Sequence, residues 1–356
     1  MKKILFTLSA VLTLFAEKGF EYEHISSSVS PSIHVLRIDP KEYEIKLVPA
    51  LDDGLGLERV ASLCERKGAK AGINGSFFEY DNKYSGLPRW ISKMEGRYFS
   101  ISNQSHAAFG WTNDGKLTLF DQLKGKIYIE QNKKFTQIHG MNGFLNDGET
   151  LLFTPWFHRT TLTPYKTQEA IIENGKVVKM AEVGSNIIPD EGFILASPQG
   201  KPVIEYGAQE IRYKVELIPE EGSGTVGQWE QVENIVSSFP LLIKNGKRHI
   251  FKGEGPGDYT IDAFINTRHP RSAVGVRKDG TWIFAIIDGG AESDIGVNLH
   301  DLAEIMEKEQ CYNAINLDGG SSSSLVIDGE YKNIGSGKAA RVGNALLIFP
   351  RSQSSK

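Results

Sequence analysis

The chain of 356 residues is 40% hydrophobic and 24% charged, an ordinary globular composition that excludes a disordered chain and supplies one large or two moderate cores. Its 40 basic and 44 acidic residues are spread along the sequence, with a formal net charge of -4. Nothing here offers the basic field that nucleic acid or an anionic membrane surface attracts.

Met1-Lys2-Lys3 and the apolar run to Ala16 join a short basic region to a stretch too short for a comfortable bilayer span. This is the pattern of a signal peptide over 1–16, cleaved near Ala16. No other long apolar segment follows, so the mature chain is expected to be exported, to the periplasm, cell surface or medium, with no integral membrane segment. Period-two alternation from Ile33 and again from Tyr43, around Asp39-Pro40, predicts an opening hairpin. Over 57–67, Leu57, Val60, Ala61 and Cys64 share one helical face, and Gly68 ends the helix. A short strand over 69–74 then breaks at G-S-F-F.

The middle of the chain is rich in short strands around Asn-Gly and Asp-Gly turns. Near the C-terminus the earlier succession returns: an amphipathic helix over 299–311, a strand over 312–317, then the turn N-L-D-G-G-S-S-S-S from Asn316. Asn74 and Asn316 thus occupy related places at two strand ends. Cys64 and Cys311 both fall in stretches of helical periodicity and are expected as buried free thiols. The fold class that follows is α+β: a mixed β-sheet core flanked by helices, formed by 17–125 and 219–350, with an inserted β-rich subdomain at 126–218 and a tail at 351–356.

Polar and glycine residues collect at four strand ends: the Asn74 turn, R-H-P-R-S-A-V-G-V from Arg268, I-I-D-G-G-A-E-S-D-I-G from Ile286, and the Asp318 turn. Sites are commonly built on such loops, where glycine lets a ligand approach backbone N–H groups. Alone, Asp288-Gly289-Gly290 reads as a simple turn, and His269 as a loop histidine. Arg271, at the mouth of a buried strand, is placed to face an anion. The histidines have no metal-ligand spacing, and there is no H-E-x-x-H, paired C-x-x-C or EF-hand pattern. The serine run lacks the strand, nucleophile and helix context of a hydrolase elbow, so its hydroxyls read as ligand-binding groups.

In this order, N-G-S-F-F-E from Asn74, P-R-S-A-V-G from Pro270, I-I-D-G from Ile286, N-L-D-G-G-S-S-S-S from Asn316 and Arg341 before the last strand resemble the phosphodiester glycosidase family. The resemblance runs over residues 30–350. Three positions depart from the family pattern: Ser321 replaces a glycine, Glu79 stands where aspartate is usual, and A-E-S-D-I-G is offset by one residue. The resemblance implies hydrolysis of a sugar-1-phosphodiester on envelope or extracellular glycan, with a carbohydrate phosphodiester as partner. It assigns catalysis to Asp318, Arg271, Glu79 and Asn74, and substrate binding to His269, Asp288, Gly319, Gly320, Ser322 and Arg341. No cofactor is required. Two other readings stay open: a non-catalytic glycan-binding or exopolysaccharide-assembly module, and a divalent-cation phosphoesterase using Asp288, Asp294 and Asp318.

Overall fold

The computed structural model describes residues 11–27, 30–52, 54–250, 261–289, 295–333 and 339–351. Residues 1–10, Asp294 and 352–356, which carry parts of the signal-peptide, cation and tail expectations, lie outside that set. The fold is mostly β, with four sheets and few, short helices.

An eight-stranded sheet runs in the order Val11–Glu17, Phe20–Ser27, Ser30–Ile38, Trp282–Ile287, Arg271–Arg277, Cys311–Asn316, Leu241–Lys244, Lys247–Arg248. A five-stranded sheet follows Glu330–Tyr331, Leu325–Ile327, Ala71–Asn74, Asn344–Pro350, Tyr43–Pro49. A seven-stranded sheet contributes Phe109, Trp111 and Phe120, which meet Trp282 and Phe284 of the first sheet and Ile45, Ile73 and Leu346 of the second in one apolar core. A fourth sheet is built from strands within 140–198.

The opening hairpin does not form. Ser30–Ile38 pairs with Phe20–Ser27 and Trp282–Ile287, whereas Tyr43–Pro49 pairs with Asn344–Pro350 in another sheet. The corner at Asp39-Pro40 carries the chain between sheets, so alternation identified both strands and not their partners. Among the described residues the expected mixed sheet is antiparallel, apart from the pair Gly140–Met141 with Leu151–Phe153.

The two helix-strand units explain that pattern. Tyr43–Pro49 and Ala71–Asn74, joined through helix Val60–Lys67, both pair antiparallel with Asn344–Pro350, which lies between them. Likewise Trp282–Ile287 and Cys311–Asn316, joined through helix Leu299–Lys308, both pair antiparallel with Arg271–Arg277. Each unit is a β-α-β crossover whose two strands are held apart by a third, from the far end of the chain in the first unit and from the strand just before it in the second. The outer strands run parallel without touching, which turns an α/β-like sequence pattern into antiparallel ladders.

Burial on both faces follows. Trp282, Phe284 and Ile286 enter the central core, while Ile283, Ala285 and Ile287 pack under Leu299, Leu302 and Met306. Leu346 and Ile348 face the same core, and Ala345 and Leu347 meet Val60 and Leu63. Strands covered on two sides read as continuous apolar runs, as W-I-F-A-I-I does. Helix Val60–Lys67 starts three residues later than its periodicity suggests, with Arg59 in the cap position and Gly68 left-handed at φ 68. Cys311 opens a strand instead of closing a helix, and both cysteines are buried free thiols.

Candidate active site

The turn at Asp318 leaves the end of Cys311–Asn316 and is stitched between the two crossover units. Leu317 N–H donates to the Ser272 carbonyl at 2.8 Å, Asp318 N–H to Gly75 at 3.2 Å, and Gly320 N–H to Pro270 at 2.8 Å. Asn74 lies beneath this floor, 1% exposed. Its amide donates to the Asp318 carbonyl at 2.7 Å, and its Oδ1 accepts from the Ser272 hydroxyl at 2.8 Å and Ser324 N–H at 3.2 Å. Asn74 therefore holds the turn rather than facing ligand, and it uses both ends of its amide to do so.

Asn344, which sequence reasoning missed, clamps the neighbouring turn. Its Oδ1 accepts Ser76 N–H at 2.9 Å and its amide donates to Ser76 Oγ at 2.7 Å. A Cβ on Gly75 would collide with Asn344 Oδ1. Gly75→Ala is accordingly expected to lower stability by about 1–3 kcal/mol and to reduce activity, because Gly75 also receives the Asp318 N–H. An unchanged denaturation midpoint would contradict this packing.

Above the floor lies a cleft of about 650 Å³ lined by Asp318, Gly319, Gly320, Ser322, His269 and Arg271, together with Arg341, Arg59, Arg89 and four aromatic side chains. Asp318 is the one carboxylate among its lining residues. Burial pushes its pKa up to about 6, against the opposing pull of the Ser322 hydroxyl, Gly319 N–H and the charges of Arg89 and Arg271. The group is ionised near neutrality yet poorly hydrated, so its charge acts strongly on whatever faces it.

Arg271 is 2% exposed. It donates to the carbonyls of Phe264 and Thr267 at 2.9 Å each and Val297 at 3.3 Å, and lies over the Phe264 ring at 4.7 Å. Arg341 and Arg59 are exposed, and their side chains have no hydrogen bond or ion pair among the described residues. Arg89 forms a 3.0 Å ion pair with Glu79. Burial, then the charge of Arg271, lowers the pKa of His269, which favours the neutral imidazole. The arginines outnumber the cleft's single carboxylate, giving a field suited to an anion.

Four further expected site residues have other roles or places. Gly319 and Gly320 line the cleft, but Gly319 N–H donates to Asp318 Oδ1 at 2.9 Å and Gly320 N–H to Pro270. The expected backbone nest is thus spent on shaping the turn. Glu79 lines an adjoining cavity, tied to Arg89. Asp288 sits outside the cleft lining: its carboxylate meets His34 Nε2 at 3.1 Å, and its N–H donates to Ser32 at 3.0 Å. No group of three or more His, Cys, Asp or Glu placed to hold a metal ion occurs among the described residues. Arg59 and Arg89 went unnoticed in the sequence. Arg89 follows the N-G-S-F-F-E turn closely enough to have been suspected; Arg59 is marked only as a polar residue before an apolar helix.

A family model described as phosphodiester glycosidase matches residues 142–349. An uncharacterized protein of Rickettsia conorii is 26% identical over 231 residues, 63% of this chain and 76% of that one. The N-acetylglucosamine-1-phosphodiester alpha-N-acetylglucosaminidase of Mus musculus is 30% identical over 169 residues, 45% of this chain and 32% of that protein. In fold, the chain is similar to the crystal structure of a hypothetical protein from Synechocystis, with a TM-score of 0.83 at 22% identity over 96% of this chain and 64% of that one.

Proposed function

Because the chain belongs to the phosphodiester glycosidase family, we propose that it hydrolyses the bond between a sugar's anomeric carbon and a phosphodiester. The observation that carries this reading is a poorly hydrated carboxylate, Asp318, in a cleft whose lining also includes four arginines. Arg271 and Arg341, with Arg59 and Arg89, hold the phosphate, and the cleft aromatics cover the sugar ring. A phosphodiester leaves readily, so the reaction asks less of a general acid than ordinary glycoside hydrolysis does. Asp318 supplies the negative charge that the developing oxocarbenium ion needs, either as base toward water or by electrostatic stabilisation. Incubation with sugar-1-phosphodiesters and detection of free reducing sugar tests the activity. Tight binding without turnover on every such substrate would favour the non-catalytic glycan module instead.

The long pairing of Thr118–Gln131 with Arg212–Pro219 leads out to and back from the sheet within 140–198, which supports 126–218 as an inserted subdomain. The substrate is taken to be envelope or extracellular glycan, since the N-terminal pattern is that of an exported protein. No helix among the described residues is long and apolar enough to cross a membrane. Val11–Glu17 forms an edge strand on Phe20–Ser27, which also pairs with Ser30–Ile38. Cleavage after Ala16 would remove that edge and leave the next strand paired. The mature protein is expected to begin near Glu17 and to be recovered outside the cytoplasm. An intact Met1 terminus in a cytosolic fraction, by mass spectrometry, would refute export.

A further inference from the structure

Trp90 has a left-handed backbone, at φ 65, directly after Arg89 of the cleft wall. A bulky side chain seldom adopts that region, and such residues persist only where their surroundings hold them, often beside functional sites. The corner joins two parts of the fold. Residues 77–79 and 86–89 run against each other, with Arg89 N–H donating to the Phe77 carbonyl and Glu79 N–H to that of Leu87 at 2.9 Å each. After Trp90 the chain enters the seven-stranded sheet, where the Ile91 carbonyl accepts Ser237 N–H at 3.1 Å and Ser92–Met94 pairs with Asn234–Ser238. Trp90 is the joint between a cleft wall and that sheet.

Rings clamp the joint on two sides. The indole stacks on His106 with centroids 4.0 Å apart and 22° between the planes, and meets Phe77, itself a cleft residue, edge-on at 5.8 Å. His106 opens the strand His106–Trp111 of the same sheet and is 3% exposed. Its Nε2 has no hydrogen-bond partner among the described residues, and burial pushes its pKa down to about 3. The imidazole is neutral at working pH, and what it offers Trp90 is a flat face. Arg89 in turn bears on the chemistry. Its charge pulls the pKa of Asp318 down, and Glu79 pairs with it at 3.0 Å.

We propose that Trp90 and His106 are positioning residues that act through Arg89: the indole, stacked on the buried imidazole, holds the left-handed corner that keeps the Arg89 guanidinium near Asp318 and on the substrate anion. Naming that anion as a phosphodiester rests on the hydrolase reading; the positioning of Arg89 does not.

The test uses the full chain. Calorimetry with inorganic phosphate, and turnover of the methyl esters of glucose-1-phosphate and N-acetylglucosamine-1-phosphate, are measured for Trp90→Gly, His106→Ala, His106→Phe, Arg89→Ala and the double variant Trp90→Gly with Arg89→Ala. Glycine suits the left-handed backbone, so Trp90→Gly removes the ring without straining the corner. It is expected to weaken phosphate binding and raise KM about tenfold, with the loss falling on KM rather than kcat. The acid limb of the rate should move to higher pH, because Asp318 loses a nearby positive charge. His106→Ala should act in the same direction, and His106→Phe, which restores a ring face, should recover most of the loss. In the double variant, Trp90→Gly should add little to Arg89→Ala. Losses that multiply in the double variant, or an unmoved KM and acid limb in Trp90→Gly, would overturn the proposal and leave the hydrolase reading intact. Phosphate binding weakened by Trp90→Gly only when Arg89 is present, with neither ester cleaved, would sink the hydrolase reading and keep the positioning role. Neither phosphate binding nor cleavage by the native protein would overturn both.

Discussion

Asp318→Asn is expected to lower turnover of a sugar-1-phosphodiester by about 10²-fold or more, with the fold retained. Asparagine keeps the shape and hydrogen-bonding length of the side chain but cannot carry the charge that the transition state requires. The native rate should fall as pH drops below about 6, where Asp318 takes up a proton. Stability should move the opposite way to activity. A raised carboxyl pKa means that the folded chain binds this proton more tightly than the unfolded chain. The stability it contributes is complete below the ordinary aspartate pKa and is lost as pH rises through about 6. Asp318→Asn removes that loss. Allowing for the solvent that reaches this half-buried group, the variant should gain about 1–2 kcal/mol above pH 6 and nothing near pH 4. Near-native turnover in Asp318→Asn, by reducing-sugar assay, would reduce Asp318 to a turn residue.

The second large effect is expected at Arg271. Sequence alone suggests a residue whose loss weakens binding and leaves the fold intact, because phosphate is charged before, during and after bond breaking. Burial changes that expectation. With its side chain tied to the carbonyls of Phe264, Thr267 and Val297, Arg271 fastens helix Ile261–Asn266 and the segment before helix Leu299–Lys308 to the sheet. Arg271→Ala strands those acceptors in a buried place and should cost about 2–4 kcal/mol in denaturant unfolding. It should also raise KM at least about tenfold. Arg271→Lys keeps the charge but not the fork, and should recover part of the KM and little of the stability. A raised KM with unchanged unfolding would mean that the carbonyl contacts contribute nothing.

What was legible in the sequence was local. The Asp318 turn announced itself because glycines, an aspartate and serines interrupt two strands buried on both faces. The parallel between Asn74 and Asn316 reflects two crossover units of the same construction, each with an asparagine ending its second strand. What escaped was pairing across distance. Alternation in Ser30–Ile38 and Tyr43–Pro49 says that each has an inner face, and nothing about Asn344–Pro350 inserting beside one of them. The use of N–H groups escaped for a related reason. Gly319 and Gly320 look like an open nest until Asp318 and Pro270 are brought against them. Arg59 was hidden by its position, since a periodicity search follows the buried face of a helix and passes over the residue that caps it.

The central claim is that the cleft breaks the bond between carbon and oxygen at the anomeric centre, and not a bond to phosphorus. Hydrolysis of a sugar-1-phosphodiester in ¹⁸O-labelled water, with mass spectrometry of both products, tests it directly. Water directed by Asp318 at the anomeric carbon should place the label in the free sugar and leave the phosphate product unlabelled. Label in the phosphate, with none in the sugar, would make the protein a phosphoesterase and contradict the account.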